Sequence, residues 1–185
     1  MTKVILLNGP RQVGKDFIAD KFVEDANSAR KLPIMWPAKI AAMAEHGFTT
    51  SQVQYFETCK DTKQPLLAGI ADETPRSIYI EYGTRMREEH GDGYFAKMWA
   101  EFARRYRGYG VIVVPDVRFQ AEVDEALREF GEHNVMLVRV RQDDFDWQGD
   151  IGHYCEHWMA IDFDNTAQSP DVGLLLHERT RGLML

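Results

Sequence analysis

Apolar and polar positions change rhythm repeatedly along this chain, and each change marks an element. Val4–Leu7 is a continuous apolar run that meets Asn8-Gly9-Pro10 at once, so a strand over Lys3–Leu7 ends in a turn. From Phe17 to Val23 the rhythm becomes helical, with Ile18, Ala19, Phe22 and Val23 on one stripe. Four further strands are predicted at Leu32–Met35, Gly110–Val114, Asn134–Val140 and Met159–Phe163. Gly110–Val114 and Asn134–Val140 are nearly unbroken apolar runs, as expected of strands covered on both faces. Helical patterns occupy Ala38–His46, opened by Pro37, then Ile78–Glu89, Tyr94–Tyr106 and Gln120–Phe130. Phe95, Trp99 and Phe102 share one helical face and read as core. Thr49–Thr74 is polar and mixed, and its pattern assigns no element.

Strands alternating with helices imply an α/β fold around a parallel sheet. The long interval between the second and third strands reads as a helical insertion over 37–108 within one domain spanning 1–185. A second interruption, 142–157, is acidic and contains Gly149 and Gly152. Leaving the end of a strand, it is either a short lid over a site or an ordinary surface loop.

The turn after the first strand carries chemistry. Gly9-Pro10-Arg11-Gln12-Val13-Gly14-Lys15-Asp16 has the spacing G-x-x-x-x-G-K of a phosphate-binding loop, set between a strand and a helix as that motif requires. Two glycines let the main chain curl closely around an anion. Its N–H groups and the start of the next helix point at phosphate oxygens, and Lys15 adds a mobile positive charge. Asp16 stands where Ser or Thr usually follows. Its carboxylate is a hard oxygen ligand for magnesium, or an acid stabilised by the helix N-terminus.

Composition narrows the class. At 185 residues, 44% hydrophobic and 28% charged, the chain has the make-up of a globular domain with a sizeable core. Val4–Leu7 is too short for a signal segment, and no run approaches a membrane span. Two cysteines, Cys59 and Cys155, form no disulfide framework, so a cytoplasmic setting is expected. A net charge of −7 argues against a dedicated nucleic-acid binder but permits a nucleotide substrate in an arginine-lined cleft.

Asp116 closes the apolar strand that begins at Val111, and ligands of open α/β sheets bind beyond the carboxyl ends of strands. It is a candidate magnesium ligand beside Arg118, or the N-cap of the helix over Gln120–Phe130. Arg76, Arg85, Arg87, Arg104, Arg105 and Arg107 recur in the insertion, where a forked guanidinium suits phosphate. Arg139 and Arg141 end a strand and enter the suspected lid, placed to meet a transferring phosphoryl group unless one of them faces solvent. Tyr79 and Tyr82 share a face with Arg76, for stacking on a base or for packing. His153, Cys155, Glu156 and His157 match no usual zinc spacing.

Taken together these patches resemble the deoxynucleoside monophosphate kinases of tailed bacteriophages, within the adenylate-kinase-like kinases. The likeness covers most of the chain in ordered patches: Leu7-Asn8-Gly9 through Gly14-Lys15-Asp16, Pro37-Ala38-Lys39, Arg76 with Tyr82-Gly83-Thr84, Val113-Val114-Pro115-Asp116-Val117-Arg118 with Glu122 and Asp124, His153-Tyr154-Cys155-Glu156, and Asn165. The resemblance implies a three-layer phosphate-loop kinase fold with a five-stranded parallel sheet, a helical monophosphate-binding insertion and a short lid. It implies ATP and magnesium as cofactors and a deoxynucleoside 5′-monophosphate as acceptor, in the cytoplasm (the host's, if phage-encoded), with no membrane or nucleic-acid partner and room for a homodimer. Under it Gly9, Arg11, Gln12, Val13, Gly14, Lys15, Asp16, Phe17 and Asn165 hold ATP, with Asn165 near the donor base. Asp16 and Asp116 hold the metal. Lys39, Arg76, Tyr79, Gly83, Thr84, Arg87, Asp116, Arg118, Glu122, His153 and Glu156 hold the acceptor, and Lys15, Arg118, Arg139 and Arg141 act on the transferring group. Arg85-Met86-Arg87 departs from the family's looser pattern there. Asp after Lys also occurs in animal-type phosphomevalonate kinases, so another phosphorylated small molecule is an alternative acceptor. A non-kinase phosphate-loop ATPase is the other alternative.

Overall fold

Five parallel strands form one sheet in the order β2-β3-β1-β4-β5, with β1 at Lys3–Asn8, β2 at Ala29–Lys31, β3 at Val111–Val117, β4 at Val135–Arg141 and β5 at Ala160–Asp164. The computed structural model describes residues 1–143, 145–148, 152–165 and 178. The chain divides into two compact units, one of Met1–Ile34 with the residues from Ala100 onward, the other Met35–Trp99.

In the sheet unit, helix α1 (Lys15–Asp25) follows β1 and helix α6 (Gln120–Phe130) follows β3. Ile18, Ala19 and Phe22 of α1 pack with Ile5 and Leu7 of β1, Val113 of β3 and Met136, Val138 and Val140 of β4. Successive strand residues face opposite ways, so the equally buried Val4 and Leu6 line the other face. There α6 packs on β1 and β4 through its buried side, Val123 and Ala126. Helices therefore cover both faces of β1, which explains its unbroken apolar run.

The second strand differs from expectation. Pairing with β3 involves Ala29–Lys31 rather than Leu32–Met35. As an edge strand β2 is paired on one side only and accepts the polar Arg30 and Lys31. Leu32 and Ile34 are buried in the chain that leaves it. A bulge interrupts β3: Leu6 pairs with Val114 but Asn8 pairs with Val117, so three steps of β3 oppose two of β1. Pro115, which has no N–H to give a ladder, sits in the extra stretch.

The other unit is helical: α2 (Trp36–Ala44), α3 (Thr50–Thr58), α4 (Pro75–His90) and most of α5 (Tyr94–Ala103), which runs on into the sheet unit. The unassigned stretch Thr49–Thr74 supplies α3. A reciprocal cap defines its start, Thr49 N–H donating to Gln52 Oε1 at 2.8 Å while Gln52 N–H donates to Thr49 Oγ1 at 3.4 Å. Thr74 caps α4 by accepting from Ser77 N–H at 3.1 Å, with Pro75 as the first helical residue. Phe95 and Trp99 of α5 are buried, as their spacing predicts. Among the described residues no helix is long and apolar enough to cross a membrane.

Candidate functional site

Gly9–Lys15 bridges the carboxyl end of β1 and the amino end of α1, and its conformation is that of a curled loop. Gln12 and Gly14 both take positive φ, 64° and 87°. A side chain other than glycine's resists that region, so Gln12 carries local strain of a kind concentrated at functional sites. Gly9 has a different reason: a Cβ there would lie 2.5 Å from the Val140 carbonyl oxygen. Val13 is fully buried in the core cluster with Ile5 and Leu7 and anchors the loop's far side. Lys15 is only 8% exposed, and its Nζ donates to the Gly9 and Pro10 carbonyls at 2.6 and 2.5 Å. Arg11, Gln12, Asp16 and Phe17 are exposed around it.

Asp16 pairs with Lys31 at 2.9 Å, and Lys31 also reaches Asp20 at 2.9 Å. Burial alone would lower the Lys31 pKa, but the two carboxylates outweigh it and hold the ammonium more firmly charged. Asp116 lies within the bulged end of β3 and is half-buried. It does not cap α6. Its Oδ1 accepts the Ile34 N–H at 2.7 Å instead. Among the described residues no three His, Cys, Asp or Glu side chains converge. Magnesium takes hard carboxylate oxygens singly and keeps most of its ligands from water and phosphate. Asp116, with one oxygen already oriented, fits that role; Asp16 would do so in competition with Lys31.

Asn8, the last residue of β1, was not singled out by sequence reasoning beyond its place in the motif. It is fully buried. Its Nδ2 donates to Val117 O at 3.0 Å and His153 O at 3.1 Å, and its Oδ1 accepts the Cys155 N–H at 2.9 Å. The signal was present: a polar residue closing an apolar strand must be buried and satisfied. His153 N–H also donates to Arg118 O at 3.2 Å, and Gln120 exchanges two hydrogen bonds with the Glu156 main chain at 3.1 and 2.9 Å. Residues 153–156 are thus tied to the carboxyl end of the sheet, with the His153 and Glu156 side chains exposed. The rest of the suspected lid includes Trp147, edge-on to Tyr154 at 5.4 Å, while residues 144 and 149–151, Gly149 among them, lie outside the described residues. Burial pushes the Cys155 thiol up to about 12, so it stays protonated.

Arg139 and Arg141 both pair with Asp162 across β4 and β5, at 2.9 and 3.3 Å, and Arg141 also lies over the Tyr154 ring at 4.9 Å. Arg118 is half-buried at the turn after β3. Glu122 secures that turn, its Oε2 accepting the Arg118 N–H at 2.7 Å and the Phe119 N–H at 3.1 Å. Asn165, just after β5, is 3% exposed and donates to the Val13 carbonyl at 2.9 Å.

Burial pushes the Glu122 carboxyl up to about 7, against the pull of those two amides. A carboxyl with a folded pKa above its unfolded one contributes stability below about pH 4.5 that is lost as pH rises through 7. Between pH 5 and pH 8 the wild type should therefore lose about 2–3 kcal/mol that the Glu122→Gln variant keeps. Urea unfolding at the two pH values checks this, and equal losses in both proteins would refute it.

In the helical unit, Lys39 of α2 pairs with Glu57 of α3 at 2.5 Å and lies 5.4 Å from the centre of the Tyr79 ring on α4. Burial and the Glu57 charge together raise the Tyr79 hydroxyl's pKa, so it stays protonated. Arg76 forks onto Asp61, its Nε donating to one carboxylate oxygen and an Nη to the other, and lowers that carboxyl's pKa. Gly83 is buried in mid-helix, Thr84 is exposed beside it, and Arg87 lies 5.0 Å over the Phe95 ring. Sequence reasoning named the cations here but not Glu57 and Asp61, their partners.

No protein-family model matches the chain, and no curated protein does. Among solved structures, an unliganded sugar kinase from Janibacter sp. HTCC2649 aligns over 98% of this chain and 94% of its own, at 13% identity and a TM-score of 0.49.

Proposed function

We propose that this chain is an ATP-dependent kinase that transfers the γ-phosphoryl group to a deoxynucleoside 5′-monophosphate. The observation that carries the reading is the Gly9–Lys15 curl, with two positive-φ residues, between β1 and α1 and beside the bulged β3 end that bears Asp116. Main-chain amides of the loop and the Lys15 ammonium hold the donor phosphates. Asp116, with Asp16, would hold magnesium, which would supply neutralising charge for the donor phosphates. Arg118, Arg139 and Arg141 at the strand ends are the cations for the transferring group, and His153 and Glu156 stand on the strapped segment beside them. Within the helical unit Lys39, Arg76 and Arg87 offer charge to the acceptor phosphate, and Tyr79 and Thr84 a surface for its nucleoside, to which the buried Gly83 adds none. The acceptor is already an anion, so alignment and charge stabilisation do most of the work.

A coupled assay of ADP release over deoxynucleoside and nucleoside monophosphates, phosphomevalonate, and no acceptor tests the reading. ADP release that requires a deoxynucleoside monophosphate is the expected result. Release with phosphomevalonate alone would move the acceptor to the other kinase class. Release independent of any acceptor would make the chain an ATPase module.

A further inference from the structure

We infer that Asn165 is a positioning residue for the phosphate loop rather than a contact for the donor base. The inference rests on the reading that Gly9–Lys15 holds a polyphosphate. Asn165 is fixed at both ends. Its main-chain N–H donates to Arg141 O at 2.8 Å, locking it to the end of β4, and its side-chain amide donates to Val13 O at 2.9 Å. At 3% exposure the side chain offers a base almost no surface.

The bond to Val13 has a consequence for the next amide. In a trans peptide the carbonyl of one residue and the N–H of the next point in opposite directions. Holding the Val13 carbonyl toward Asn165 therefore turns the Gly14 N–H away from it, as a loop that gathers its amides around an anion needs. Gly14 cannot hold that peptide by itself, because a residue without Cβ passes easily between backbone basins. It also cannot be replaced by a stiffer residue. Besides its φ of 87°, a Cβ at Gly14 would lie 2.4 Å from Asn165 Nδ2. The close approach that forces glycine here is the same contact that then supplies the missing rigidity. Without the amide, the competent loop is a fraction of an ensemble, and anion affinity falls by that fraction.

Calorimetric titration with inorganic tripolyphosphate and with ATP, each with magnesium, separates loop positioning from base contact. The proteins are the wild type, Asn165→Ala, Asn165→Ser (too short to reach Val13) and Asn134→Ala. Asn134 spends its side-chain amide on Phe130 O at 2.8 Å, far along the chain from the loop, and controls for general loss of stability. Both Asn165 variants should bind tripolyphosphate and ATP more weakly by one common factor, about ten- to a hundredfold, while Asn134→Ala binds as the wild type does. A loss confined to ATP would make Asn165 a base contact and overturn the inference. Unchanged affinity in a folded Asn165 variant would overturn it too. If the wild type binds neither ligand, the polyphosphate reading fails and the inference with it, whereas normal wild-type binding with unaffected variants sinks the inference alone. Should Asn165→Ala not fold, Asn165→Ser carries the same comparison.

Discussion

Replacing Lys15 with Ala should lower kcat for phosphoryl transfer by about 10²–10³ while the sheet unit stays folded. That loss matches removal of one preorganised donor from a site where charge develops. Lys15 is held inside the loop by the Gly9 and Pro10 carbonyls, so its ammonium sits among main-chain dipoles and not in bulk water. A charge in such surroundings acts on phosphate oxygens with little screening. The two carbonyls lose a donor in the variant, at a cost of about 1 kcal/mol in stability. Steady-state ADP release gives the kinetic effect, and circular dichroism melting shows that the fold survives. A variant that keeps more than about a tenth of kcat, ~1.4 kcal/mol, would remove Lys15 from the chemistry.

Asn8→Ala should destabilise the sheet unit by about 3 kcal/mol or more. The side chain is fully buried and makes three hydrogen bonds, to Val117 O, His153 O and the Cys155 N–H. Alanine leaves those three main-chain groups buried without this partner, and an unsatisfied buried polar group costs about 1–3 kcal/mol. Asp at position 8 would not rescue it, since a carboxylate cannot donate to two carbonyls. Urea denaturation reads the loss. A change below about 1 kcal/mol would mean that the end of β1 and residues 153–155 are held together by other contacts. Because the same residue ties down the segment bearing His153 and Glu156, activity should fall further than the folded fraction alone explains.

Legibility along the chain followed pairing and burial. β1, β3 and β4 were readable because their apolar runs reflect cover on their faces, β5 because Ile161 and Phe163 alternate with Asp162 and Asp164, and α6 was readable over Gln120–Phe130 because its buried stripe has the helical period. β2 was misplaced, since a three-residue edge strand makes few demands on side chains and the apolar residues next to it are buried without being paired. α3 was missed because its start is written in a reciprocal Thr49–Gln52 cap, and only Val53 and Phe56 of the helix are buried. The cations of the candidate site were found by type. Their partners Asp162, Glu57 and Asp61 were not, because they lie on other elements and nothing in local spacing announces them.

By itself the sequence determined the alternation of strand and helix, the place and glycine spacing of the Gly9–Lys15 loop, and the carboxylate at the end of a buried strand, all of which are encoded within a few neighbouring residues. Tertiary structure alone decided the strand order, the bulge at Pro115 that carries Asp116, the Asn8 clamp on residues 153–155 and the seat of Asn165 beneath Val13. The division has one physical cause. Backbone preference and hydrophobic period act over a turn or a strand, whereas a buried polar atom finds its partner across more than a hundred residues of chain, wherever packing leaves it no water.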